Sequence, residues 1–183
     1  GETLEPENIW RKKILDKAAR ELATSNPVRA LELLRESGRT DFMRDSTLRA
    51  AFSSWAADDF EAAMLRWSEL PTDERDSALS GILTNRFARD EADAINLTRE
   101  LLAKPEDSDT VLSALKKALS WAHGGGNRDL TEIVQAIPEL KPYVRESVLE
   151  SWIRTAPEAA AEFLADRVVA RGGEDIEDYS AVA

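Results

Sequence analysis

The sequence contains no cysteine and a single histidine, His123. Disulfide frameworks, thiolate metal sites and cysteine nucleophiles are therefore excluded, as is any metal site built from several histidines. No apolar run approaches the roughly 20 residues that a membrane helix needs, so no membrane span is expected in this chain. Valine and isoleucine are sparse, and the apolar/polar alternation of a half-buried strand does not occur over five or more residues. Positive charge is in deficit as well. Against 24 Lys and Arg stand 35 Asp and Glu, a formal net charge of −11. A nucleic-acid groove needs basic side chains to displace phosphate counterions, so nucleic acid is not the expected partner. The chain opens on Gly1 without a recognisable export signal. The expectation is a trimmed or processed start, with a lean toward an extracytoplasmic protein whose signal has been removed.

What is present is helical. Alanine and leucine, both strong helix formers, are abundant. Apolar residues recur at i, i+3, i+4 and i+7, as in Leu48, Ala51, Phe52 and Trp55, in Phe60, Ala63, Met64 and Trp67, and in Leu130, Ile133, Val134 and Ile137. Each set is one stripe along a helix that a neighbour must cover. Proline is tolerated in a first helical turn and disrupts an interior. Pro6, Pro27, Pro71, Pro105, Pro138, Pro142 and Pro157 all fall between stripes. The pattern predicts helices over 6–23, 27–37, 41–56, 59–69, 73–88, 91–103, 108–122, 128–137, 142–154 and 157–171. The fold class is all-α, with one helical-repeat domain over 1–171. Residues 172–183, with Glu174, Asp175, Glu177 and Asp178, form an acidic tail.

The chain also repeats itself. Trp55-Ala-Ala-Asp-Asp-Phe-Glu-Ala-Ala63 aligns with Trp152-Ile-Arg-Thr-Ala-Pro-Glu-Ala-Ala160, with Leu22-Ala-Thr-Ser-Asn-Pro-Val-Arg-Ala30 and with Phe87-Ala-Arg-Asp-Glu-Ala-Asp-Ala-Ile95. A fifth copy opens at Trp121-Ala122 with a longer turn. The anchors 22, 55, 87, 121 and 152 are 33, 32, 34 and 31 residues apart. A second signature, Arg44-Asp-Ser-Thr-Leu48, returns as Arg75-Asp-Ser-Ala-Leu79 and Arg145-Glu-Ser-Val-Leu149, with Ser108-Asp-Thr-Val-Leu112 a looser version. Each unit reads as a helix ending in a large apolar residue, a tight Asp/Asn/Pro turn, and a second helix opening on small alanines. One such hairpin cannot bury both stripes, so hairpins must stack.

Over about residues 7–171 the pattern resembles the tetratricopeptide and HEAT-type class of helix-pair repeats, and the tandem Trp-Ala-x-x-Asp-Pro-x-Ala-Ala repeats of bacterial proteins. It departs from the tetratricopeptide unit, whose tryptophan sits early in the first helix rather than at its end. The resemblance implies a right-handed α-solenoid of about five antiparallel hairpins, used as a binding scaffold.

Motifs that look like chemistry lack their partners. His123-Gly-Gly-Gly126 resembles an esterase oxyanion loop, but no Gly-x-Ser-x-Gly elbow exists and no second histidine is left for a triad. Asp107-Ser-Asp-Thr-Val111 resembles an aspartyl phosphatase nucleophile, yet no strand precedes it, and a helix N-terminus explains it better. Asn96-Leu-Thr98 matches a glycosylation sequon inside a predicted helix. Asp58-Asp59 reads as a helix cap. Arg44, Arg75 and Arg145 either form a ladder for an acidic partner or pair with neighbouring acids. Trp10, Trp55, Trp121 and Trp152 fit inter-helix core positions, whereas Trp67 is either core or an exposed binding anchor. No catalytic residue, metal ligand or cofactor is assigned, and an enzyme is not expected. The sequence points to a protein-interaction module whose partner carries basic patches, with binding that weakens in salt. A structural or regulatory domain of a longer exported or membrane-tethered protein is the other reading.

Overall fold

A computed structural model of the chain describes residues 6–37, 42–122, 130–144 and 146–170. Within them all regular structure is helical, and no strand occurs. The helices are α1 (Pro6–Leu22), α2 (Pro27–Ser37), α3 (Phe42–Asp58), α4 (Phe60–Ser68), α5 (Thr72–Arg89), α6 (Glu91–Leu102), α7 (Ser108–Ala122), α8 (Thr131–Ala136), α9 (Glu146–Thr155) and α10 (Pro157–Ala170). Most ends fall within two residues of the predicted ones. The exceptions are the helices expected over 128–137 and 142–154, which begin at Thr131 and Glu146. Pro138 and Pro142 lack the N–H that α-helical bonding requires, and residues Pro138–Tyr143 wind as a 3-10 helix instead.

The chain divides into two compact units, Gly1–Ala122 and His123–Ala183. In the first, α1 packs on α3, α3 on α5 and α5 on α7. The shorter helices fill the intervals: α2 touches α1 and α3, α4 touches α3 and α5, and α6 touches α5 and α7. In the second unit α9 packs on α10, and α8 on the 3-10 helix that follows it. Trp152 is buried there, its ring 5.3 Å from that of Phe163. The indole Nε1 donates to Thr131 Oγ1 at 3.2 Å.

The hairpin turns share one hydrogen-bond register. The amides of Asn26, Asp59, Asp90 and Ala156 donate to the carbonyls of Leu22, Trp55, Arg86 and Trp152. The carbonyls of those four turn residues then accept from the amides of Ala30, Ala63, Ala94 and Ala160. All four alanines are fully buried, so a larger side chain has no room at this place. Asn26, Asp59 and Asp90 also cap the following helix, each accepting from the amide three residues on. This register corrects the sequence alignment of the third copy. The residue equivalent to Trp55 is Arg86, not Phe87, and the equivalent alanine is Ala94. Arg86 compensates for the lost aromatic by laying its guanidinium 3.6 Å from the ring centroid of Phe60, at the start of α4.

Two observations explain why the long helices approach so closely. Around the first turn Ala23, Ala30 and Ala51 form a buried cluster with Leu22 and Ala50 against it. On α5, Gly81 faces the backbone of α3: a Cβ there would lie 2.2 Å from the carbonyl oxygen of Arg49. Only glycine fits such a contact.

Candidate functional site

Two of the recurring arginines, Arg44 and Arg75, lie at the start of long helices and reach forward to the next hairpin. Arg44 on α3 pairs with Glu74 on α5, whose side chain is only 5% exposed, and approaches Asp73 at 3.8 Å. Arg75 on α5 donates through Nη1 to Asp107 Oδ1 at 2.9 Å, just before α7, and through Nη2 to the carbonyl of Ser68 at 2.7 Å. The partners lie 30 and 32 residues ahead, about one repeat. The two arginines are thus joined to acids of this chain across successive hairpins. Arg145 lies outside the described residues, as do the His123–Gly126 loop, the side chain of Trp121 and the acidic tail.

Trp67 is packed into this row and is only 3% exposed. Its Nε1 donates to the carbonyl of Arg75 at 3.0 Å, and the Arg75 guanidinium lies 5.2 Å from the indole centroid. It secures α4 to α5 and is not displayed at the surface.

A third linkage joins α5 to α7. Lys117 Nζ lies 2.8 Å from Asp76 Oδ2 and 3.1 Å from Ser77 Oγ, and Ser113 Oγ donates to Asp76 Oδ2 at 2.8 Å. Burial alone would raise the Asp76 pKa. The hydrogen bonds from Lys117 and Ser113, the charge of Lys117 and the bond from Ser77 outweigh it, and the carboxyl titrates below its usual value of 3.8. A serine beside a lysine is also the outline of a nucleophile and its base. Here the lysine is already paired with the Asp76 carboxylate, and Ser77 is 1% exposed, closed to any substrate. Asp107, at the place of the phosphatase-like motif, is buried and bound to Arg75. Among the described residues no three acids or histidines converge in a way that could hold a metal ion. No helix among them is long and apolar enough to cross a membrane.

The exposed surface of this unit is uneven in charge. Asp58, Asp59, Glu61 and Glu69 line α4, and Asp90, Asp93, Glu100 and Glu106 lie along α6 and its ends, all exposed. Arg89, Arg99 and Lys104 are the exposed bases between them. Helix α1 is the reverse, with Arg11, Lys13, Lys17 and Arg20 exposed against the single exposed acid Glu21 among its described side chains. It also exposes Trp10, 70% accessible, and Ile14, 58%. Trp10 was expected in the core. It is outside because α1 packs on α2 and α3 through its other faces, and no described helix precedes it.

Sequence reasoning missed the acids that complete the arginine pairs, Glu74 and Asp107. A signal existed, since an acid stands one repeat ahead of each arginine. It missed the Asp76–Lys117 pair, for which no short-range pattern exists. Comparison with known protein families, with curated proteins and with solved structures finds no match to this chain.

Proposed function

We propose that the chain is a non-enzymatic protein-interaction module of the helix-pair repeat class, with its hairpins stacked as an α-solenoid. Its partner is a protein or peptide with basic patches. The stacking is supported by the sequential packing of α1, α3, α5 and α7, with a short helix in each interval. It is supported too by polar bonds that join successive hairpins within Gly1–Ala122. The observation that carries the functional reading is where the ionisable groups are employed. Arg44, Glu74, Arg75, Asp107, Asp76 and Lys117, which in a cleft would be candidates for chemistry, are all engaged in holding neighbouring hairpins together. What α4 and α6 present to solvent is an acidic edge on a scaffold, offset in part by the Arg66–Glu69 and Arg86–Asp93 pairs and suited to recognition by charge and shape.

The test is binding of a fluorescent amphipathic helical peptide of leucine and lysine to the full chain. Anisotropy should rise at low salt and fall back at about 0.5 M salt, where screening shortens to a few ångström. Replacing Glu100 and Glu106 by lysine should abolish the rise. A chain that ignores the peptide at low salt, or binds it equally well at high salt, is not the module described.

A further inference from the structure

The two most exposed large apolar side chains among the described residues are Trp10 at 70% and Leu65 at 66%. They sit in opposite electrostatic settings. On α1, Trp10, Lys13, Ile14 and Lys17 follow the i, i+3, i+4, i+7 spacing of a single helix face, and all four are exposed. On α4, Leu65 lies between Glu61 and Glu69, four residues before and after it, and both acids are exposed, Glu69 with one oxygen held by Arg66 at 2.7 Å. One patch is an apolar pair ringed by cations. The other is an apolar residue between anions.

The α1 face has a relative inside the molecule. Counting back from the shared turn positions Leu22 and Arg86, Trp10 and Ile14 occupy the places that Glu74 and Ala78 hold on α5. On α5 that face receives a helix: Glu74 binds Arg44 of α3, Ala78 is fully buried, and Gly81 touches the α3 backbone. On α1 the same face is open, and bulky Trp10, Ile14 and Lys17 stand where α5 has Glu74, Ala78 and Gly81. It is shaped for a helix held at side-chain distance, and its charge selects an acidic one.

From these observations we infer that the α1 face of one copy of this chain docks on the α4 face of a second copy, with Trp10 and Ile14 against Leu65 and with Lys13 and Lys17 against Glu61 and Glu69. This rests on the reading of the chain as an acidic interaction module and supplies that module with a basic partner surface, its own α1. The contact joins two different patches, so it propagates from copy to copy rather than closing as a symmetric pair. With so few apolar side chains on each side the association is weak, rises with protein concentration and dissolves in salt. An anionic lipid surface would also meet the α1 cations, but it would repel the acidic remainder of the chain.

Sedimentation velocity of the full chain across a concentration series tests this. At low salt the weight-average sedimentation coefficient should climb with concentration, and at about 0.5 M salt it should stay at the monomer value. Trp10→Ser and Leu65→Ser should each weaken association at least about ten-fold. The reversals Lys13→Glu with Lys17→Glu, and Glu61→Lys with Glu69→Lys, should each leave a monomer. An equimolar mixture of those two reversed chains should associate again, because the acidic α1 of one then faces the basic α4 of the other. All six residues are exposed, and unchanged circular dichroism and melting of each variant establish that folding is intact. A chain that stays monomeric at every concentration overturns the proposal. So does association that survives Trp10→Ser or Leu65→Ser, failure of the mixture to re-associate, or preferential binding to phosphatidylserine vesicles. If the lysine-leucine peptide still binds while the chain remains monomeric, self-docking fails and the module reading stands. If the peptide does not bind, the module reading fails by itself.

Discussion

Trp67 and Arg75 hold each other twice: the indole N–H donates to the arginine carbonyl at 3.0 Å while the guanidinium of the same arginine lies 5.2 Å from the indole centroid. Because that guanidinium also binds Asp107 and the Ser68 carbonyl, one tryptophan at the end of α4 braces a contact between α5 and the start of α7.

Trp67→Phe keeps most of the buried volume but leaves the Arg75 carbonyl without its indole donor. It should cost about 1–2 kcal/mol of unfolding free energy. Trp67→Ala adds a cavity and should cost about 3–5 kcal/mol. Urea denaturation of both variants separates the two contributions.

Arg44→Met strands the Glu74 carboxylate in a nearly dry place and should destabilise the chain by about 3 kcal/mol. Adding Glu74→Met to it should recover much of that loss, since an apolar pair of similar volume carries no desolvation cost. A double-mutant cycle by urea denaturation checks the coupling. Strict additivity of the two substitutions would mean that the pair contributes nothing.

Gly81→Ala sets two effects against each other. Alanine gains about 1 kcal/mol of helix propensity. Its methyl group, however, would stand 2.2 Å from the Arg49 carbonyl, a backbone atom that moves only if α3 and α5 separate. Separation should win, and the variant should melt lower than the parent. Glycine to alanine at an open helical site would do the opposite.

Asp76 has a folded pKa below its unfolded value. Its contribution is therefore present above the unfolded value near 3.8 and is lost as the pH falls through the folded pKa. Asp76→Asn should flatten the fall in stability between neutral and strongly acidic pH. Lys117→Met should raise the Asp76 pKa toward its ordinary range. Urea midpoints measured down the acid limb, with carbon-detected NMR titration of the Asp76 carboxyl, check both.

Helix boundaries were the most legible part of the chain, because the turn chemistry is local. Asn26-Pro27, Asp59 and Asp90 announce a cap and a first turn without reference to anything distant. The shared turn pattern was legible in outline and misaligned in one place. Phe87 matches Trp55 in chemistry, whereas the turn bonds align Arg86 with it. The arginine signature carried the remedy: Arg44 to Trp55 and Arg75 to Arg86 are both eleven residues apart. Side-chain pairing was not legible, since Lys117 and Asp76 meet only because α7 lies beside α5. Exposure of Trp10 was hidden for a related reason. A stripe on a helix states that it can be covered, and only the arrangement of neighbours decides whether it is.

The bonds across successive turns carry a consequence for how the protein is made. Ser54 Oγ donates to the carbonyl of Thr24 at 2.8 Å, and Arg89 Nη2 to the carbonyl of Ala57 at 3.1 Å. Each seals the end of one hairpin with a side chain some 30 residues further along. During synthesis the first and second hairpins need only their immediate successors for these turn bonds to form. Halting translation after α3, but before α5 has emerged, should leave the first hairpin sealed and the second still open to protease.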